Sequence, residues 1–288
     1  MSYLSDWYMP YEPLKRMRRN WKILVISLFF SALILWNVLG IYMLFYPSGV
    51  ILKLTDNPPG FYPIPNLNPE NIELDGAALF LGDLHLTYGE DSSRFSDLPK
   101  FISRNAVRNI IFVGDLFDTP HDAEKILDAR NGIDAVHAIF NHLQLSDETV
   151  KLYFVKGFQA HDPKEFDLNV QQDGITFRTM GKSARFSNND TRVITIHGDD
   201  AFGGLHGFIF SYITGRPYLE AWWKDMVNLN DEEWVIMGHS HSPNINYSRR
   251  VANTGGWTDI FGFGPPTGRG ILLVNEEVTL VNISDQLP

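Results

Sequence analysis

Short, nearly continuous apolar runs recur along the chain, each closed by glycine, aspartate or histidine. Ala77-Ala78-Leu79-Phe80-Leu81, Asn109-Ile110-Ile111-Phe112-Val113, Lys151-Leu152-Tyr153-Phe154-Val155, Arg192-Val193-Ile194-Thr195-Ile196 and Trp234-Val235-Ile236-Met237 lack the strict alternation of a half-solvated strand. They suit strands buried on both faces. The stretches Ala123 to Leu143 and Tyr218 to Leu229 are helical in pattern, and strands alternating with helices predict an α/β domain. Gly270-Ile271-Leu272-Leu273-Val274 and Val278-Thr279-Leu280-Val281, joined through Asn275-Glu276-Glu277, predict a closing hairpin.

One run is of a different kind. From Ile23 to Tyr46 there are 24 residues without a charge, enough to cross a hydrocarbon core of about 30 Å at about 1.5 Å per residue. The segment ends in Tyr42-Met43-Leu44-Phe45-Tyr46-Pro47, without the small-residue cleavage site of a signal peptide. It predicts a transmembrane helix, with Trp21, Tyr42 and Tyr46 at interfacial depths. Lys15, Arg16, Arg18, Arg19 and Lys22 crowd its N-terminal flank, whereas Lys53 is the only basic residue between Pro47 and Asn71. The positive-inside rule then places residues 1–22 in the cytoplasm, the single-pass helix 23–46 in the cell membrane and the rest of the chain outside the cytoplasm. Five prolines in the thirteen residues Asn57 to Pro69 make 47–73 an extended, semi-rigid linker, leaving 74–288 as one catalytic-sized domain.

The candidate chemistry sits where the strand runs stop. Asp83-Leu84-His85, Gly114-Asp115-Leu116-Phe117-Asp118, His197-Gly198-Asp199 and Gly238-His239-Ser240-His241 each follow such a run. Four segments of hard oxygen and imidazole donors at one sheet edge predict a two-metal hydrolase. From an extended segment, the outer residues of Asp-x-His and His-x-His would project the same way, both toward ions at that edge. The chain has no cysteine and no Gly-x-x-x-x-Gly-Lys-Ser/Thr segment, which excludes a cysteine phosphatase and argues against a phosphate-cradling NTPase loop.

In the order of these motifs the chain resembles the calcineurin-like metallophosphoesterase superfamily from roughly Leu74 onward. The resemblance implies a four-layer α/β/β/α sandwich, preceded here by the N-terminal transmembrane helix, and two divalent ions at its strand ends. It implies that Asp83, His85 and His241 hold the first ion, that Asp115 bridges both, and that His197 and His239 hold the second, with Asp118 a carboxylate that orients a ligand. Mn, Fe, Zn, Co or Ni would suit such donors. The reaction implied is in-line attack at phosphorus by a water that the ions acidify.

The third motif departs from the family's Gly-Asn-His-Asp/Glu. After the run ending at Val155 the chain has Lys156-Gly157-Phe158-Gln159-Ala160-His161-Asp162, so neither Phe158 nor Ala160 can replace the ligating Asn. Three possibilities stand: Gln159 supplies an amide oxygen from a longer stem, a water fills the position, or the second site is weakened. His161, with Asp162 beside it to orient the ring, is the candidate general acid.

Charge narrows the substrate. The chain carries −10, and with five basic and two acidic residues among the first 22 the remainder carries about −13, a poor host for long nucleic acid. The apolar, glycine-rich stretches 202–212 and 255–266 flank the motifs, and as a cleft they would admit an acyl or isoprenoid tail. His197-Gly198-Asp199-Asp200 is slightly similar to the corresponding motif of UDP-2,3-diacylglucosamine hydrolases. Arg249 and Arg250 are candidate phosphate contacts. The expectation is a membrane-anchored, metal-dependent phosphoesterase acting on a phosphate ester or pyrophosphate, its partners the bilayer and a phosphorylated substrate at or near it. The alternatives are an enzyme for soluble nucleotide, sugar or protein phosphates and a non-catalytic membrane scaffold.

Overall fold

Each strand run becomes a strand, and the alternation hidden inside it decides which core each side chain enters. In the computed structural model the strands are β1 (Asn71–Glu73), β2 (Ala77–Leu81), β3 (Val107–Val113), β4 (Lys151–Val155), β5 (Asn169–Gln172), β6 (Ile175–Thr179), β7 (Ser183–Asn188), β8 (Thr191–Ile196), β9 (Trp234–Met237), β10 (Asn244–Asn246), β11 (Val251–Asn253), β12 (Arg269–Val274) and β13 (Glu277–Asn282). The helices are α1 (Leu98–Arg104), α2 (Pro120–Leu127), α3 (Gly132–His142) and α4 (Tyr218–Met226). The described residues are Ser31 and 69–284, except 129–131, 146–149, 158–160, 164–165, 173, 200–210, 212–213 and 260–265. Apart from Ser31, the expected transmembrane helix lies outside them, as do residues 1–22, Gln159 and most of the two apolar stretches flanking the motifs. Among the described residues no helix is long and apolar enough to cross a membrane.

Two mixed sheets result. One is seven-stranded in the order β13-β12-β2-β3-β4-β6-β5, the other six-stranded in the order β1-β7-β8-β9-β11-β10. Strands β2, β3 and β4 are mutually parallel, and so are β8, β9 and β11. The sheets pack face to face. Ala78, Phe80, Ile111, Val113, Tyr153 and Val155 from the first meet Phe186, Val193, Trp234, Ile236 and Ala252 from the second. The alternate residues Leu79, Leu81, Ile110, Phe112, Leu152 and Phe154 turn outward to pack with Leu98, Ile102, Val136 and Ile139 of α1 and α3. Ile194, Ile196, Val235 and Met237 turn the other way, onto Leu219, Trp222 and Trp223 of α4. Helix, sheet, sheet and helix form four layers, which is why these strands carry apolar residues at every position.

Two boundaries differ from the sequence expectation. The stretch Ala123 to Leu143 holds two helices: α2 starts at Pro120 behind the Thr119 cap and ends on Asp128 at φ 50°, a left-handed stop that periodicity does not reveal. The last linker residues, 71–73, form β1 parallel to β7, because Ile72 enters the inter-sheet core. The closing hairpin is present as β12 and β13, joined by Asn275 and Glu276 at φ 47° and 71°, the backbone of a type I′ turn.

Candidate metal centre

The C-terminal ends of β2, β3 and β4 in one sheet and of β8, β9 and β11 in the other meet at a single edge, and each of the sequence motifs leaves a strand there. The two sheets approach closely enough that glycine is required between strand and ligand. A Cβ on Gly114, at φ 73°, would run into the His197 ring, and one on Gly238 would lie 2.5 Å from Asp83 Oδ2 and 3.0 Å from the Val113 carbonyl. The His239 N–H donates to Asp83 Oδ2 at 2.8 Å, joining the first motif to the last.

The ligand loops are not the extended segments that the Asp-x-His and His-x-His spacing suggested. Asp83, His85, Asp115, His239 and His241 all have positive φ, at 53°, 46°, 46°, 63° and 48°. Each such residue costs roughly 1 kcal/mol or more, and the surroundings hold them there. The His85 N–H donates to the Asp115 carbonyl at 3.0 Å, Leu86 N–H to the Leu116 carbonyl at 2.8 Å, and Asp118 N–H back to the Leu86 carbonyl at 3.1 Å. Arg94 Nη2 donates to the carbonyls of Leu84 and His85, at 3.1 and 2.8 Å. Left-handed turns at both ends of a motif keep the ligand side chains converging although the backbone is not a strand.

The side chains gather in three overlapping groups, two of which include Asp115. Asp83, His85 and His241 form one possible metal cluster, His85, Asp115 and His161 a second, and Asp83, Asp115 and His197 a third. Asp83 Oδ1 lies 3.1 Å from His241 Nε2. Asp115 Oδ2 lies 3.1 Å from His197 Nε2, 3.9 Å from His161 Nε2 and 4.0 Å from His85 Nε2. The His239 ring packs edge-on to His197 with centroids 5.2 Å apart. Asp83, His85, Asp115 and His197 are buried.

Tautomers follow from the partners. His197 Nδ1 lies 2.9 Å from the Val113 carbonyl, so Nδ1–H donates and Nε2 turns a lone pair on the Asp115 carboxylate. Two acceptors at that distance need a cation or a proton between them. Without a metal the ring takes the proton: burial pushes the imidazolium down, but Asp115 more than offsets this and His197 stands well above its ordinary value. Desolvation and the neighbouring His197 push the half-buried His239 down to about 4, and it stays neutral. His85 Nδ1 faces Asp118 Oδ1 at 3.3 Å, which leaves Nε2 toward the cluster, the arrangement by which a carboxylate orients a metal-bound histidine. Among the described residues Asp83 Oδ1, His85 Nε2 and His197 Nε2 are buried with no hydrogen-bond partner. Buried donor and acceptor atoms without partners are costly, and these are the atoms a divalent ion would satisfy, so the residues present fit the metals that the motifs imply.

Asp162 has a different job from the one its position suggested. It does not orient His161. Its carboxylate accepts from Asp115 N–H and Gly157 N–H through Oδ2, at 2.9 and 2.7 Å, and from Leu116 N–H through Oδ1 at 2.9 Å. His161 is held by the Asp118 carbonyl, 2.5 Å from Nδ1. Asp118 therefore steadies His85 with its side chain and His161 with its backbone.

Arg249 and Arg250 lie away from this edge. They precede β11, at the end of the sheet opposite the metal cluster, where Arg249 pairs with Asp225 and Arg250 Nη1 donates to the Glu232 carbonyl at 2.5 Å. Arg249→Ala and Arg250→Ala are expected to leave turnover within about twofold of wild type; a tenfold fall in kcat/KM for either would restore them as substrate contacts.

Other supporting residues had no motif to mark them. Asn253, at the end of β11, donates to Glu220 Oε1 at 2.6 Å and to the Gly238 carbonyl at 2.5 Å, and accepts from Gly255 N–H at 2.9 Å. The fully buried Glu220 of α4 is pushed by that burial up to about 7 from its ordinary 4.5. The unfolded chain loses this proton near 4.5 and the folded one near 7, so the folded state binds more protons between these values and loses stability as pH rises through them. Glu220→Gln is expected to remove that slope, gaining on the order of 3 kcal/mol over wild type between pH 4.5 and 8. Paired denaturant titrations check it, and a pH-independent difference between the two proteins contradicts it.

Fold and site together define a class: a two-sheet α/β protein whose strand ends hold a carboxylate and imidazole cluster fit for divalent metals. No family model and no curated protein matches the chain. Among solved structures it is similar to Yfce, a phosphoesterase from E. coli, with 14% identity, a TM-score of 0.39, and coverage of 72% of this chain and 100% of the other. It is similar also to an archaeal phosphodiesterase, at 11% identity and TM-score 0.37 over 71% of this chain and 98% of the other. The Pseudomonas putida nuclease MPE matches at 13% identity and TM-score 0.31 over 71% and 87%. Superpositions this loose carry no inference about chemistry, which rests on the side chains themselves.

Proposed function

We propose that this chain is a metal-dependent phosphoesterase of the calcineurin-like type, tethered to a membrane. The observation that carries the reading is the convergence of Asp83, His85, Asp115, His197 and His241 at one sheet edge, with Asp83 Oδ1, His85 Nε2 and His197 Nε2 buried and without hydrogen-bond partners. Asp83, His85 and His241 would hold one ion, His197 and His239 the other, and Asp115 both. Bound there, two divalent ions supply Lewis-acid polarisation of a phosphoryl group and acidify water.

The chain's own residues do the rest. The Val113 carbonyl fixes the tautomer of His197, and Asp118 Oδ1, 3.3 Å from His85 Nδ1, favours the His85 form that offers Nε2. His161, its side chain 31% exposed and its Nδ1 on the Asp118 carbonyl, stands at the open side of the cluster. Its Nε2 would give a proton to the departing oxygen as general acid. No side chain is required as a covalent nucleophile.

Support for the tether comes from the sequence alone, in the 24 uncharged residues of Ile23 to Tyr46 and the basic flank before them. A tether of that kind favours a phosphorylated or pyrophosphate-linked lipid as substrate over a soluble ester, and the acidic balance disfavours long nucleic acid. Retention of both Asp83-x-His85 and His239-x-His241 favours an enzyme over a scaffold. The test is hydrolysis of bis-p-nitrophenyl phosphate, p-nitrophenyl phosphate and a polyprenyl or diacyl pyrophosphate by the purified full-length chain, before and after chelation and with manganese restored. Turnover that vanishes on chelation and returns with manganese is expected; turnover indifferent to chelation rejects the metal-dependent reading, and a preference for soluble esters over the lipid rejects the lipid substrate.

A further inference from the structure

The turn that carries Asp83 and His85 has left-handed backbone at both of those residues, and a buried cation behind it bears on its main chain alone. We propose that Arg94 and Trp257 are positioning residues for the first ion, joined through Phe95 into one brace that fixes the Asp83-Leu84-His85 turn. The inference rests on the two-ion reading above and names what shapes one of its two sites.

Three successive carbonyls of the turn each receive a donor from this brace. Trp257 N–H donates to the Asp83 carbonyl at 3.0 Å, and Arg94 Nη2 donates to those of Leu84 and His85 at 3.1 and 2.8 Å. The amides go the other way, Asp83 N–H to the Gly114 carbonyl at 3.3 Å and His85 N–H to the Asp115 carbonyl at 3.0 Å. Gripped on both sides, Asp83 and His85 are held at φ 53° and 46°, a conformation that an unsupported turn would leave. The two donors belong to one stack. The Arg94 guanidinium lies 4.9 Å from the centre of the Phe95 ring, and that ring stacks on Trp257 with centroids 5.3 Å apart and planes 28° from parallel. Trp257 is fully buried, and its Nε1–H donates to the Arg269 carbonyl at 3.0 Å, which fixes the stack to β12. Gly256, the residue before it, lies against the His241 ring, where any Cβ would collide with Nδ1. The brace and its adjoining loop therefore bear on all three side chains assigned to the first ion alone.

The energetics of Arg94 favour positioning over plain stabilisation. Its side chain is 12% exposed, and its carboxylate partner Glu90, 3.3 Å away, is 47% exposed; a pair so open on one side is worth little. Its Nε is buried without a hydrogen-bond partner among the described residues. Desolvating a guanidinium and leaving one donor unpaired is costly, and an apolar side chain of the same length would cover Phe95 without that penalty. What only the cation supplies is a charge-assisted donor that reaches two adjacent carbonyls at once, and so sets the direction in which the turn presents its ligands.

Equilibrium manganese binding to the full-length protein, stripped by chelation and followed by electron paramagnetic resonance, reads this directly, with thermal melts by circular dichroism alongside. Wild type is expected to bind two ions, the first being the one that His241→Ala removes. Arg94→Met, which still covers Phe95 but has no donor, is expected to weaken the first ion about 10–100-fold and to leave the second within about threefold of wild type. Arg94→Lys, with the charge but a different donor geometry, is expected to fall between the two, about tenfold weaker at the first ion. Ile139→Ala, a cavity in the same core, is expected to lower the melting temperature at least as far while leaving both ions within about threefold, so instability by itself does not mimic the effect. Should Arg94→Met fail to fold, Arg94→Lys answers in its place. An undiminished first ion in whichever Arg94 variant is read, equal losses at the two ions, or a matching first-ion loss in Ile139→Ala overturns the proposal while leaving the two-ion reading intact. Fewer than two ions in wild type overturns both.

Discussion

Asp115→Asn is expected to lower turnover by about a thousandfold or more while the protein still unfolds in one cooperative transition. The expectation follows from how this residue is anchored. Its N–H is held by Asp162 and its carbonyl accepts the His85 N–H, so the main chain keeps its course whatever the side chain carries. The side chain, by contrast, is the shared element: Oδ2 stands within 4.0 Å of the imidazoles of His197, His161 and His85. An asparagine offers one neutral oxygen where a carboxylate offers two charged ones, and it cannot neutralise two cations. In metal-free protein the substitution removes the partner of the buried, protonated His197, offset in part by relief of the like charge beside Asp83, so some loss of stability is expected while the transition stays cooperative. Thermal melts by circular dichroism and kcat on bis-p-nitrophenyl phosphate check both halves. Normal turnover would remove Asp115 from its bridging position.

Asp162→Ala is expected to have the largest effect on stability. This carboxylate takes three backbone N–H groups, those of Asp115, Leu116 and Gly157, and it is itself 2% exposed. Alanine leaves all three donors buried without acceptors, at about 1–3 kcal/mol each, partly relieved by a water entering the space. A net loss of about 3–5 kcal/mol lowers the melting temperature of a domain of this size by roughly 10 °C. Activity falls as well, because the same three N–H groups set the turn that carries Asp115. Asp162→Asn keeps one acceptor and is expected to fall between wild type and alanine. A melting temperature within about 2 °C of wild type for Asp162→Ala would contradict this account of the turn.

Much of this architecture is visible in the chain itself, for a physical reason. Strands buried between a second sheet and a helix layer are apolar at every position, and ligands must follow them at the strand ends, so the runs before Asp83, Asp115, His197 and His239 announce both fold and site. What the runs do not encode is backbone direction beyond the strand. The left-handed turns at Asp83, His85, Asp115, His239 and His241 arise from the crowding of two sheet edges, a tertiary effect with no local signature. Asp162 was visible as a neighbour of His161, yet it serves Asp115, because its partners come from a strand end 46 and 47 residues away. Arg94 and Asn253 act on backbone carbonyls and amides, and Glu220 on the Asn253 side chain, none of which leaves a spacing to recognise. Arg249 and Arg250 show the converse: closeness in sequence to His241 placed them near the ions, but β10 and β11 carry them to the far end of the sheet.

The central claim is that these residues hold two ions with Asp115 between them. Anomalous X-ray scattering from manganese-loaded crystals tests it most directly. Two peaks a few Å apart are expected, one against Asp83, His85 and His241, the other against His197 and His239, with the Asp115 carboxylate touching both. A single peak, or none at this edge under saturating manganese, would contradict it.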